Sequence, residues 1–150
     1  MAHFPGAGDN TAGVAFRGPG WNLTFYEVPD AQPALECMAF AVECNGRKFV
    51  HSGAVGLCAD QTELTRSEDL LIHCCYRLDV QSLHPDWDPP MPSSYEIGGM
   101  AKAVGVRTVL LTRLRTEIDT HLGRIVAVGA FREAFPGECG LAEDLDTHEV

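Results

Sequence analysis

Two short apolar runs, Asp69-Leu70-Leu71-Ile72-His73 and Val106-Arg107-Thr108-Val109-Leu110-Leu111-Thr112, restrict the possible folds of this chain more than any other feature. Each has the length and composition of a strand buried on both faces, and such strands belong to parallel sheets. Between them, Ser93 or Ser94 can cap a helix whose apolar positions Ile97, Met100, Ala101 and Val104 follow helical spacing, and Gly105 ends it. Gly98-Gly99, inside that helix, is best explained by close packing. A second helical pattern runs from about residue 121 to 135 and stops at Pro136-Gly137, with a last short strand expected near Glu149.

Upstream the pattern changes. Residues 21–28 and 35–44 read as strands, with Met38, Phe40 and Val42 alternating against Ala39 and Ala41. Asn45-Gly46 supplies the positive-φ residues of a tight hairpin that returns through Arg47-Lys48-Phe49-Val50-His51. A short helix is expected over residues 59–67. A loop containing Pro85, Pro89, Pro90 and Pro92 is too Pro-rich for a simple connector, and such loops often border sites. Residues 1–20, with Gly6, Gly8, Gly13, Gly18, Gly20, Pro5 and Pro19, read as a flexible lead-in, leaving residues 21–150 as one α/β domain.

The composition fits that reading: 45% of the 150 residues are hydrophobic and 21% charged, which excludes collagen, disordered acidic tails and disulfide miniproteins. Eleven basic against 21 acidic residues give a formal charge of −10. That field repels phosphate backbones at long range, so a general nucleic-acid coat or a binder of anionic membranes is not expected, while a local basic patch stays compatible. No stretch of about 18 apolar residues exists, and Met1-Ala2-His3-Phe4-Pro5-Gly6 is no secretory leader, so a cytoplasmic protein is expected. The six cysteines form no C-x-x-C pair and read as reduced thiols.

Several pieces line up in order: Gly46-Arg47-Lys48-Phe49-Val50-His51-Ser52-Gly53, Ala54-Val55-Gly56, the strand ending at His73, and Ala103-Val104-Gly105-Val106-Arg107-Thr108-Val109-Leu110-Leu111-Thr112. Phe135-Pro136-Gly137-Glu138 and Leu141-Ala142-Glu143-Asp144-Leu145 follow. Together, over roughly residues 25–150, they resemble the C-terminal half of metallo-β-lactamase-fold hydrolases of the ribonuclease Z-like branch. The resemblance implies half of an αββα sandwich, a mixed sheet with flanking helices, in a family that holds zinc at the sheet edges. The His-x-His-x-Asp-His cluster of the other half has no match in this sequence.

The resemblance also marks positions where chemistry is lost. Ala54 stands where relatives carry a metal-bridging aspartate, and Arg113 follows Thr112 where relatives carry the last histidine ligand. A guanidinium cannot ligate zinc. Tyr95 follows Ser93-Ser94 where relatives place a histidine for proton transfer, and Asp30 stands where many have a histidine. No cofactor is therefore expected in this chain, although zinc serves the family.

Among the remaining candidates, His73 ends a strand at the edge where open α/β sheets place sites, and with His51, or with the Cys74 thiol beside it, it could bind a metal weakly, although strand alternation points Cys74 to the opposite face. A lone histidine on an apolar strand is more often a hydrogen-bonded structural residue. The loop His84-Pro85-Asp86-Trp87-Asp88 could supply ligands or be an ordinary surface loop with an aromatic anchor. Arg107, Arg113, Arg115 and Arg124 concentrate positive charge, and Arg113 and Arg115 are the anion-binding candidates. The competing reading pairs these arginines with Glu117, Asp119 and Glu143-Asp144.

The resulting expectation is a degenerate half-domain without its own hydrolytic activity, acting by binding or association. It would form a homo-oligomer or meet a partner that supplies the missing half. The alternative is a zinc-dependent hydrolase of phosphodiester or ester substrates completed by another chain.

Overall fold

The computed structural model describes residues 12–29, 36–53, 69–78, 91–116 and 118–149. Seven strands, β1 (Ala12–Gly18), β2 (Trp21–Pro29), β3 (Glu36–Cys44), β4 (Arg47–His51), β5 (Leu70–Cys74), β6 (Thr108–Thr112) and β7 (Glu138–Leu141), form one sheet in sequential order. Neighbours from β1 to β4 are antiparallel and those from β4 to β7 are parallel. Among the described residues there are two helices, α1 (Ser94–Val104) and α2 (His121–Ala134). The mixed sheet of the α/β expectation is present, and the change of direction occurs at β4.

Local chemistry sets these boundaries. Asn45 and Gly46 adopt φ of 51° and 74°, the left-handed pair that a tight hairpin between β3 and β4 requires. Ser93 is the N-cap of α1: its hydroxyl accepts from the Glu96 N–H at 3.2 Å, and the Glu96 carboxylate accepts from the Ser93 N–H at 2.8 Å. Arg77 joins this capping box to the chain leaving β5, donating to Glu96 at 2.6 Å and to the Met91 carbonyl at 2.9 Å. Gly105 closes α1 in the left-handed region, and Thr120 caps α2 by accepting from the Gly123 N–H.

Cross-strand register divides the sheet into two faces. One row runs Ala41, Val50, Leu71, Val109. These residues join Ile97, Ala101 and Val104 of α1 and Ala127 and Phe131 of α2 in a single buried cluster. The helices pack closely, because a Cβ on Gly98 would lie 2.7 Å from the Phe131 carbonyl oxygen. Gly99 differs from the close-packing expectation: its missing side chain would meet open space.

The opposite face carries the rows Leu23, Val42, Phe49, Leu70 and Phe25, Phe40, His51, Ile72, Leu110. None of these belongs to the helix-side cluster. Phe25, Leu70 and Leu110 are buried, whereas Leu23, Phe40, Val42, Phe49 and Ile72 are half-buried. At its β1–β2 end, Phe16 stacks on Trp21 at 4.9 Å between ring centroids, and the two remain 52% and 37% exposed.

Two further sequence expectations are corrected. Residues 12–18 are a strand rather than part of a lead-in, because Gly13 and Gly18 leave room for cross-strand aromatics. The Phe25 ring would stand 2.9 Å from a Cβ on Gly13, and the Trp21 indole would collide with one on Gly18. The last strand is Glu138–Leu141, immediately after Pro136-Gly137 and parallel to β6, and no strand forms near Glu149 among the described residues. The helix expected over 59–67 lies outside the described residues.

Candidate functional site

The C-terminal ends of β4, β5 and β6 meet along one sheet edge, where the chain leaves His51, Cys74 and Thr112 for its loops. Backbone hydrogen bonds fix the first residues beyond this edge. The Ser52 N–H donates to the Ile72 carbonyl at 3.0 Å, and the Cys75 N–H donates to the Thr112 carbonyl at 2.8 Å. Gly53 has φ of 75°, and a Cβ there would lie 2.6 Å from the Met38 carbonyl oxygen, so the turn after β4 accepts no side chain.

His73 is fully buried on the helix side, in register with Leu111. Its Nδ1–H donates to the Cys74 carbonyl at 2.8 Å, which places the ring's lone pair on Nε2. Burial, aided by nearby His51 and opposed by the Cys74 hydrogen bond, pushes its pKa down to about 4. His73 is therefore neutral at physiological pH. His51 accepts the Gly53 N–H on Nδ1 at 3.1 Å. Desolvation, then the Arg113 charge, lowers its pKa against a backbone hydrogen bond that raises it. His51 is in register with Ile72, so it belongs to the face opposite His73, as does Cys74.

Arg113 follows β6 directly with φ of 52°, a left-handed conformation that costs a residue bearing a Cβ about 1–2 kcal/mol. Its side chain is exposed and forms no ion pair among the described residues. With Tyr76, Leu114, Arg115 and Thr116 it lines an open cleft of about 480 Å³. The Arg115 guanidinium lies 6.0 Å from the centroid of the Tyr76 ring. Tyr95, in the first turn of α1, is 49% exposed.

The four arginines grouped by sequence do not form one cluster. Arg107 precedes β6 and Arg113 follows it, so the strand separates them by roughly 20 Å at 3.3 Å per residue. Arg107 instead approaches Asp69 at 3.8 Å, beside Arg47 at 2.8 Å. These cations and the Lys48 N–H hold the Asp69 carboxyl below its ordinary pKa, the backbone hydrogen bond contributing most. Arg124 pairs with Asp119 at 2.6 Å and Glu143 at 2.7 Å, as the competing reading expects. Arg113 and Arg115 stay together.

Ala54, Asp30, Glu117 and the 84–88 loop lie outside the described residues. Among the described residues, no three His, Cys, Asp or Glu side chains gather within reach of one metal ion. His51 and His73 belong to opposite faces, and Arg113 brings a cation to the same edge. These residues do not fit a zinc centre. Among the described residues five cysteines are free thiols, two of them, Cys74 and Cys75, buried. Sequence reasoning missed Tyr76 and Thr116; the signal available was their position just past the ends of β5 and β6, the edge that carries sites in such sheets. No described helix is long and apolar enough to cross a membrane.

No protein-family model matches the sequence, and no curated protein does. Solved structures do match in shape. The metallo-β-lactamase fold protein YhfI from Bacillus subtilis superposes with a TM-score of 0.70 at 20% identity, covering 85% of this chain and 49% of that one. Human tRNase Z, short form, superposes with a TM-score of 0.60 at 19% identity, covering 89% of this chain and 43% of that one. The chain thus spans about half the length of these structures. Over that half, its mixed sheet and flanking helices have the metallo-β-lactamase fold.

Proposed function

We propose that this chain is a half-domain of the metallo-β-lactamase fold that acts by association and has no hydrolytic activity of its own. The carrying observation is the sheet face formed by Leu23, Val42, Phe49, Phe40 and Ile72, which lies outside the helix-side core and stays partly exposed. Burying apolar surface gains about 2.5 kcal/mol per 100 Å². Contiguous apolar patches beyond a few hundred Å² usually mark interfaces. In this reading a second sheet covers the face, contributed by another copy of the chain or by a partner carrying the other half of the fold. The unsuited metal positions support the non-hydrolytic part, because Arg113 offers no ligand atom where zinc chemistry would need one.

Size-exclusion chromatography with light scattering tests association on the purified chain. A dimer, or a monomer that binds a hydrophobic dye strongly, is expected. A stable monomer that binds no dye contradicts the reading. Stoichiometric zinc together with turnover of a generic phosphodiester would overturn the non-hydrolytic reading in favour of a zinc-dependent hydrolase.

A further inference from the structure

We propose that the sheet edge where β4 and β6 end binds a small monocarboxylate with an apolar body, whose carboxylate is held by Arg113 and His51. The two residues come from different strands: His51 is the last residue of β4, and Arg113 follows β6 directly. Regular alternation would send residue 113 to the helix side, with Val109 and Leu111. Arg113 instead turns with φ of 52° and leaves that alternation, and its charge acts on His51, which belongs to the opposite face. Strained backbone at a residue bearing a Cβ concentrates at ligand clamps. Here the strain accompanies delivery of a cation to a histidine.

Both groups have a donor to offer. Arg113 is exposed and forms no ion pair among the described residues, whereas Arg47, Arg77, Arg107 and Arg124 meet carboxylates at 2.6 to 3.8 Å. On His51, Nδ1 accepts the Gly53 N–H at 3.1 Å, so the neutral ring carries its proton on Nε2. No acceptor among the described residues takes that proton. Desolvation, then the Arg113 charge, favours the neutral ring.

The charge count selects the ligand. One permanent cation and one neutral donor match a single negative charge spread over two oxygens: the guanidinium donates in its planar fork, and the imidazole N–H adds a further hydrogen bond. A phosphate dianion would bring a second charge, beyond what this pair neutralises, into a chain of formal charge −10. Along the sheet, His51 is in register with Phe40 of β3 on one side and Ile72 of β5 on the other, both half-buried. Their side chains offer an apolar floor beside the charged end of the ligand, the mixture that small-molecule sites use. The site draws only on residues of this chain, so it does not rest on the association reading.

The probe is benzoate, titrated into the purified full chain by calorimetry, with benzamide as the uncharged control and phenyl phosphate as the dianion. Saturable benzoate binding is expected, at least about tenfold tighter than either control, from the value of a charge-assisted hydrogen bond. Arg113→Gly should lose about tenfold or more of that affinity without a fall in melting temperature, because glycine accepts the positive φ. His51→Leu should lose about threefold or more, the value of one neutral hydrogen bond. Light scattering on the same samples separates the readings, since benzoate binding by a monomeric chain supports this site even where association fails. The proposal is overturned if benzoate shows no saturable binding, if either control binds as tightly, or if Arg113→Gly or His51→Leu binds benzoate as the wild type does.

Discussion

The two faces of the sheet contain similar amounts of apolar side chain and have different fates. On the helix side, Val50, Leu71, Val109 and Leu111 are 0–1% exposed beneath α1 and α2. On the other side, Phe40, Phe49, Val42 and Ile72 occupy equivalent rows but stay half-buried. The helix side shows what this sequence does with apolar rows when the chain itself supplies the cover. The second face has the same chemistry with less cover, and that contrast is the observation behind the proposal that the chain acts by association.

Substitutions on the two faces should separate their roles. Phe131→Ala, which empties the middle of the helix-side core, should cost about 3–5 kcal/mol in urea unfolding. Phe49→Ser on the opposite face should cost about 1 kcal/mol in the isolated chain and reduce assembly and dye binding. Equal losses of stability would remove the distinction between the faces.

Acidification acts on the helix side through His73. Its folded pKa of about 4 is below the ordinary 6.5, so its stabilising contribution is complete above pH 6.5 and is lost as pH falls toward 4. That difference amounts to roughly 3 kcal/mol. Urea midpoints at pH 7 and pH 4.5 should therefore differ less in His73→Gln than in the wild type. An unchanged difference would mean that His73 is not the buried neutral group described.

A smaller effect probes the helix pair that covers this face. Gly98→Ala should destabilise by about 1–3 kcal/mol, since its Cβ meets the Phe131 carbonyl across the helix contact. Gly99→Ala, next to it and facing open space, should gain about 0.5–1 kcal/mol from helix propensity. Thermal unfolding of the two variants reads the sign directly.

The sequence revealed those features whose physics is local. Asn45-Gly46 states its own turn, and Ser93 with Glu96 states its own cap, because the groups that satisfy the backbone are within three residues. β1 was not legible for the opposite reason. Gly13 and Gly18 look like loop residues until Phe25 and Trp21, on the next strand, are seen to occupy the space of their missing side chains. β7 was displaced because four residues after Pro136-Gly137 become a strand through long-range pairing with β6. At the candidate site, proximity in sequence joined Arg107 to Arg113, whereas an extended strand carries them to opposite ends. Arg113 and Arg115, two residues apart and beyond the strand, were legible as a pair; Tyr76 joins them from β5 through folding alone.

Hydroxyl-radical footprinting of the purified chain across a concentration series addresses the central claim most directly. As the chain assembles, protection should appear at Leu23, Phe40, Phe49 and Ile72, on the face away from the helices, while Leu122 and Ile125 on the outer side of α2 stay reactive. Protection confined to α2, or a stable monomer in which the sheet residues are already unreactive, would contradict the account.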